Sequence, residues 1–179
     1  MKIHSTVAAA VVLLGGAAIA SAQNSTSTAA AAKLTSALQS RQLGVIAARN
    51  PDQPGGFVAA FYLPGSQLLV VSGPSSVPSA LDKHIAAGKH MDVYMALNDA
   101  RDNTGRFFVM DLKADGLRPQ CEKDEPFDSI AREGVTVAFD GNWQAQRLSE
   151  AAYLARFAED DARYARLLQV LFASLQTAP

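Results

Sequence analysis

The sequence predicts an α+β domain: a six-stranded, mostly antiparallel barrel or curled sheet with a long C-terminal helix packed on it. Three observations predict it. The apolar runs Leu43–Ala48, Phe57–Leu63 and Gln67–Ser72 alternate with turn-rich segments. Shorter runs of the same kind recur downstream. From Ser149 onward the apolar residues fall at helical spacing.

The elements follow in order. Ala30–Arg41 reads as a short helix with Leu34, Ala37 and Leu38 on one face. Leu43–Ala48 is the first strand, and the NPDQPGG segment from Asn50 to Gly56 is a turn. Phe57–Leu63 and Gln67–Ser72 are the second and third strands of a meander, joined at Pro64-Gly65. Both are almost wholly apolar, so both of their faces are expected to be covered. Ser76 caps a short helix that has Pro78 in its first turn and Gly88 at its end, with Leu81 and Ile85 facing the core. Met91–Leu97 and Arg106–Leu112 are the fourth and fifth strands. Asn98–Gly105 and Lys113–Glu125 are polar loops, and Thr136–Phe139 is the sixth strand.

Ser149 caps the closing helix, with Glu150 in its positive first turn. Leu154, Phe157, Tyr164, Leu168, Leu171 and Leu175 form its apolar stripe. Glu159, Asp160, Arg163 and Arg166 fall off the stripe. Asp161 falls on it, with no cation three or four residues away. The pattern favours a half-exposed aspartate at the stripe margin; the alternative is a buried carboxylate paired with another segment.

The N-terminus reads as an export signal. Lys2 precedes an apolar run, Val7–Ala20, that closes on Ala20-Ser21-Ala22, the small-x-small pattern of a signal peptidase site. The run holds about 14 residues, short of the ~20 that span a bilayer. The expected organisation is a signal peptide over 1–22, a disordered tether over 23–32 and a single domain over 33–177. A periplasmic or secreted location follows, with no membrane attachment after cleavage. The net charge of −1 offers no footprint for nucleic acid. Cys121 is the only cysteine, which excludes an intrachain disulfide and leaves a free thiol on a loop or partly buried.

The order of helix, three meander strands, short helix, further strands and long helix is similar to the FMN-binding split barrel of the pyridoxamine phosphate oxidase type. The likeness covers roughly residues 30–112 and rests on element order and on the run GVIAARNPDQPGGFVAAFYLPGSQLLVVSG. It implies flavin phosphate contacts after the third strand, where Ser75, Ser76 and Lys83 stand, and it implies a homodimer. That segment, Gly73–Lys83, contains no arginine, although phosphates are usually held by arginine forks or helix N-termini. Arg101, Arg106 and Arg118 are later cations. The phrases FYLPGSQLLVVSG, DLKADGL and FDGNW also resemble a family of exported bacterial proteins, a likeness that supplies no activity.

Other constellations are thin. His84 and His90 are six apart across Gly88, which is not the i, i+4 spacing of two ligands on one helical face. Asp111, Asp115, Glu122, Asp124, Glu125 and Asp128 make an acidic region without the calcium-loop pattern, so no metal is expected. Gly65-Ser66 and Gly73-Pro74-Ser75 do not match the G-x-S-x-G nucleophile turn. Trp143 and Tyr153 are expected as core anchors rather than pocket lining. The expectation is therefore an exported, non-catalytic domain that binds a partner or small ligand. The alternative is a flavin- or haem-dependent oxidoreductase on a split barrel.

Overall fold

The computed structural model describes residues 25–63, 65–74 and 105–177. The expected signal peptide, the Ser76 helix and the Met91–Leu97 strand lie outside them. The chain is α+β. Helix α1 (Thr26–Ser40) is followed by strands β1 (Val45–Arg49), β2 (Phe57–Leu63), β3 (Gln67–Gly73), β4 (Phe107–Leu112), β5 (Asp128–Arg132) and β6 (Val135–Phe139). Helix α2 (Glu150–Thr177) follows the sheet. The six strands form one antiparallel sheet in the order β1-β2-β3-β4-β5-β6. Among the described residues no pairing joins β1 to β6, so the sheet is open rather than closed into a barrel.

Five of the six strands fall where apolar runs predict them. β5 falls between the expected loop and the expected sixth strand, where no element is predicted, because it carries one apolar core residue, Ile130, between Asp128 and Arg132. Glu133 and Gly134, both at positive φ, make the two-residue turn that returns β5 into β6. That conformation suits the twist of an antiparallel hairpin. β2 and β3 are buried on both faces, as their composition requires.

The main core lies on one sheet face. Val58, Ala60, Leu68, Val70, Phe107, Val109, Ile130 and Phe139 meet Leu34 and Leu38 of α1 and Tyr164, Leu168 and Leu171 of α2. The opposite face carries a second cluster, Phe57, Ala59, Phe61, Leu63, Leu69 and Val71.

Two expectations about the helices are corrected. Residues 26–32, expected in a tether, are the first turns of α1, and Ser27, Ala30 and Ala31 are buried there. Small side chains let α1 approach its neighbours closely, which a scale of hydrophobicity undervalues. The stripe of α2 begins at Tyr153, which is 2% exposed, whereas Leu154 is 47% exposed. Phe157 is half-buried against the core. Tyr164, Leu168, Leu171 and Leu175 are buried as expected, and Leu167 joins them. Ser149 caps α2 as expected, its hydroxyl accepting from Ala152 N at 3.2 Å.

Candidate functional site

The polar heart of the molecule lies where α1, α2 and the β4–β5 loop meet. Strand alternation places Phe107, Val109 and Asp111 on the core face of β4, and Asp128, Ile130 and Arg132 on the same face of β5. The register pairs Met110 with Ser129, and its next step sets Asp111 across from Asp128. Two like charges directly opposite on adjacent strands are unfavourable unless other groups compensate them.

The loop supplies the compensation. Asp111 accepts from Asp115 N at 3.2 Å, Gly116 N at 3.0 Å and the Tyr164 hydroxyl at 2.9 Å. Asp128 accepts from Leu112 N at 2.9 Å and Arg118 N at 3.0 Å. Both side chains are still withdrawn from water, and burial outweighs these bonds. Burial pushes the Asp111 carboxyl up to about 6. Burial, reinforced by the charge on Asp111, pushes Asp128 up to about 7. The Tyr164 hydroxyl is driven well above the usual phenol range by burial and by its carboxylate partner.

Gly116 shows how closely the loop meets α1. It sits at φ +91°, and a Cβ there would stand 2.5 Å from Thr28 N. Next to it, Leu117 N donates to Ser27 Oγ at 2.8 Å. The start of α1 is closed by Asp161 rather than by its own N-cap residue, because Ser25 makes no side-chain cap. Asp161 accepts from Thr26 N at 2.7 Å, Ser27 N at 3.1 Å and the Thr26 hydroxyl. Asp161 is 4% exposed, so the half-exposed reading is corrected in favour of its alternative, and the segment it pairs with is residues 26–27. A helix N-terminus offers orphan N–H donors and partial positive charge, and a buried carboxylate answers both.

Asp160 is also buried, contrary to its expected place off the stripe. Arg156 Nε approaches it at 2.5 Å and Arg132 at 3.3 Å, and Arg132 also holds Glu159 at 2.7 Å. Burial raises the Asp160 carboxyl despite these cations. Arg163 lies half-buried over the Phe107 ring, 4.3 Å from its centroid.

Several sequence candidates do not converge here. Ser75, Ser76, Lys83, His84, His90 and Arg101 lie outside the described residues. Arg118 meets Glu125 at 3.8 Å, and Arg106 Nη1 is buried without a hydrogen-bond partner among the described residues. The acidic region divides: Asp111 and Asp128 go inward, while Glu125 pairs with Lys113 at 2.9 Å. Among the described residues no three or more His, Cys, Asp or Glu side chains are grouped to hold a metal. Tyr153 is a core anchor, its hydroxyl donating to Pro119 O at 2.7 Å and its ring edge-on to Phe139. Trp143 packs half-buried on the core, and Cys121 is a half-buried free thiol. No described helix is long and apolar enough to cross a membrane.

The two sheet edges differ. Ala138 O on β6 accepts from Gln146 Nε2 at 2.5 Å, so the segment before α2 folds over that edge. On β1, Tyr62 N donates to Gly44 O and Asn50 N donates to Gly56 O, both at 2.9 Å. The alternation of an antiparallel ladder then turns Ile46 and Ala48 toward β2. The N–H and C=O groups of Val45, Ala47 and Arg49 point away from the sheet. Ala47 and Arg49 are exposed, and Val45, Ile46 and Ala48 are half-exposed. The edge is bounded on one side by Leu43, whose N–H closes the end of α1 on Leu38 O, and on the other by Pro51. No family model, curated protein or solved structure matches the chain.

Proposed function

We propose that this chain is an exported, non-catalytic domain that binds an extended segment of a partner chain along the outer edge of β1. The observation that carries the reading is the contrast between interior and edge. The buried carboxylates Asp111, Asp128 and Asp161 are engaged by donors of the chain itself. Among the described residues nothing pairs with the three outward N–H and three outward C=O groups of β1. An exposed, unpaired edge of this kind is a template for strand addition, in which main-chain hydrogen bonds give affinity and alternate side chains give selectivity.

Amide hydrogen exchange tests the reading. In the free monomer the amides of Val45, Ala47 and Arg49 exchange quickly while those of Ile46 and Ala48 are protected, and a bound partner strand protects all five. Slow exchange at Val45, Ala47 and Arg49 in the free monomer would overturn it. The absorbance spectrum of protein from its own compartment tests the non-catalytic half. Flavin or haem bands that survive dialysis would move the oxidoreductase reading into its place.

A further inference from the structure

We infer that the strand added to β1 is the β1 of a second copy, giving a two-fold symmetric dimer with a continuous sheet across the interface. The inference rests on the edge reading above and goes beyond it by naming the partner. Two antiparallel copies of one strand pair in registers centred on a residue or between two residues. Only residues with outward groups can pair, which leaves few choices. Setting Ala47 opposite Ala47 of the partner subunit joins Val45 to the partner's Arg49 and Arg49 to the partner's Val45. That register uses every outward N–H and C=O between Leu43 and Pro51. A shift of two residues toward the C-terminal end sets Val45 against Pro51 of the partner subunit, which has no N–H to donate. A shift the other way sets Arg49 against Leu43 of the partner subunit, whose N–H is already given to Leu38 O.

The side chains agree with this register. Ala47, the smallest on the edge, lies on the two-fold axis, where two copies approach most closely. The aliphatic stem of Arg49 lies alongside the half-exposed Val45 of the second copy. Leu43, 38% exposed, sits just beyond the ladder and extends the apolar border. β1 has five residues, and a ladder of that length falls short of the ~1,000 Å² that a stable interface buries. The dimer is therefore weak and depends on concentration. An isologous interface of this type closes on itself and does not propagate into fibres.

The test uses the mature chain from about 1 μM to about 1 mM, the range in which weak association is resolved. Sedimentation should show a reversible dimer, and exchange at Val45, Ala47 and Arg49 should slow as the dimer fills. Ala47→Lys places two ammonium groups against each other at the axis and should weaken the dimer at least about tenfold with unchanged circular dichroism. In a Cys121→Ser background, Ala47→Cys should form an intermolecular disulfide on mild oxidation, because directly opposed residues lie about 5.5 Å apart at Cα. Arg49→Cys in the same background should not. Dimerisation unaffected by Ala47→Lys, or equal crosslinking at both positions, would overturn the inference. A chain that stays monomeric at every concentration, with fast exchange at the three amides, would also overturn it while leaving the edge reading in place. Slow exchange at those amides in the monomer would overturn both.

Discussion

Acidification is expected to stabilise this protein, and Asp128→Asn is expected to remove much of the effect. In the folded chain Asp111 titrates at about 6 and Asp128 at about 7, against 3.8 for an ordinary aspartate. Both folded values are raised. The stabilisation that comes with protonation is thus fully present below pH 3.8 and is lost as pH rises through 6 and 7. Each unit of difference corresponds to about 1.4 kcal/mol. The two carboxylates act on each other, so protonating one relieves the second. A gain of about 2–4 kcal/mol between pH 8 and pH 5 follows from these shifts. Glu125 and Glu159 move the other way, held down by hydrogen bonds from Lys113 and Arg132. Their contributions are lost only as pH falls through values below 4.5, outside the window. Asp160 shifts in the same direction as the pair, so the variant rather than the slope alone isolates it. The amide introduced by Asp128→Asn resembles the protonated acid at every pH. Urea unfolding at pH 8, 7, 6 and 5 should show wild type gaining stability toward pH 5, with Asp128→Asn gaining clearly less, through Asp111 and Asp160 alone, and close to wild type at the acidic end. Equal slopes for the two proteins, or a wild type that weakens from pH 8 to pH 5, would refute the reasoning.

Asp161→Ala strips the acceptor from Thr26 N and Ser27 N at a buried helix start, and should cost about 2–4 kcal/mol by denaturant unfolding. Arg166→Ala, which breaks an exposed 3.4 Å pair with Asp52, should cost less than about 1 kcal/mol in the same assay. Leu168→Ala should lose about 2–5 kcal/mol, whereas Leu154→Ala, on the exposed side of α2, should shift the melting temperature little. Gly116→Ala drives a methyl into Thr28 and strains a positive φ, and should destabilise by at least about 1–3 kcal/mol, with faster amide exchange in the first turn of α1.

The strands that bury apolar residues on both faces, β2 and β3, announce themselves in sequence, because nothing but a covered sheet accommodates FVAAFYL and QLLVVSG. β5 does not. Its interior positions are Asp128, Ile130 and Arg132, and the two charged residues are tolerated only through partners contributed by the β4–β5 loop and α2. The start of α1 is silent for a related reason: Ser27 is buried through bonds to Asp161 and Leu117, neither of which is local. At Asp161 the pattern exposes an anomaly without its solution. A carboxylate on an apolar stripe needs donors, and backbone N–H groups from 135 residues away leave no mark in side-chain periodicity. Asp111 was open to the same logic, since it continues the inward alternation of Phe107 and Val109. The outward groups of β1 belong to the backbone, and only the pairing register of the fold reveals them.

The clasp between α1 and α2 has a consequence for how the chain is made. Asp161 grips the first turn of α1, and Arg41 at its far end donates to Leu175 O at 2.6 Å. Helix α1 is therefore completed by α2, through a contact that spans 135 residues of sequence. The hairpins of the sheet close over short distances, but docking α1 on α2 waits until the sheet between them and α2 itself have been made. Contacts of such sequence separation slow folding. Until then the apolar face of α1, with Leu34 and Leu38, has no permanent cover. A nascent chain of this design stays open between its two helices, and its core locks only when α1 and α2 meet.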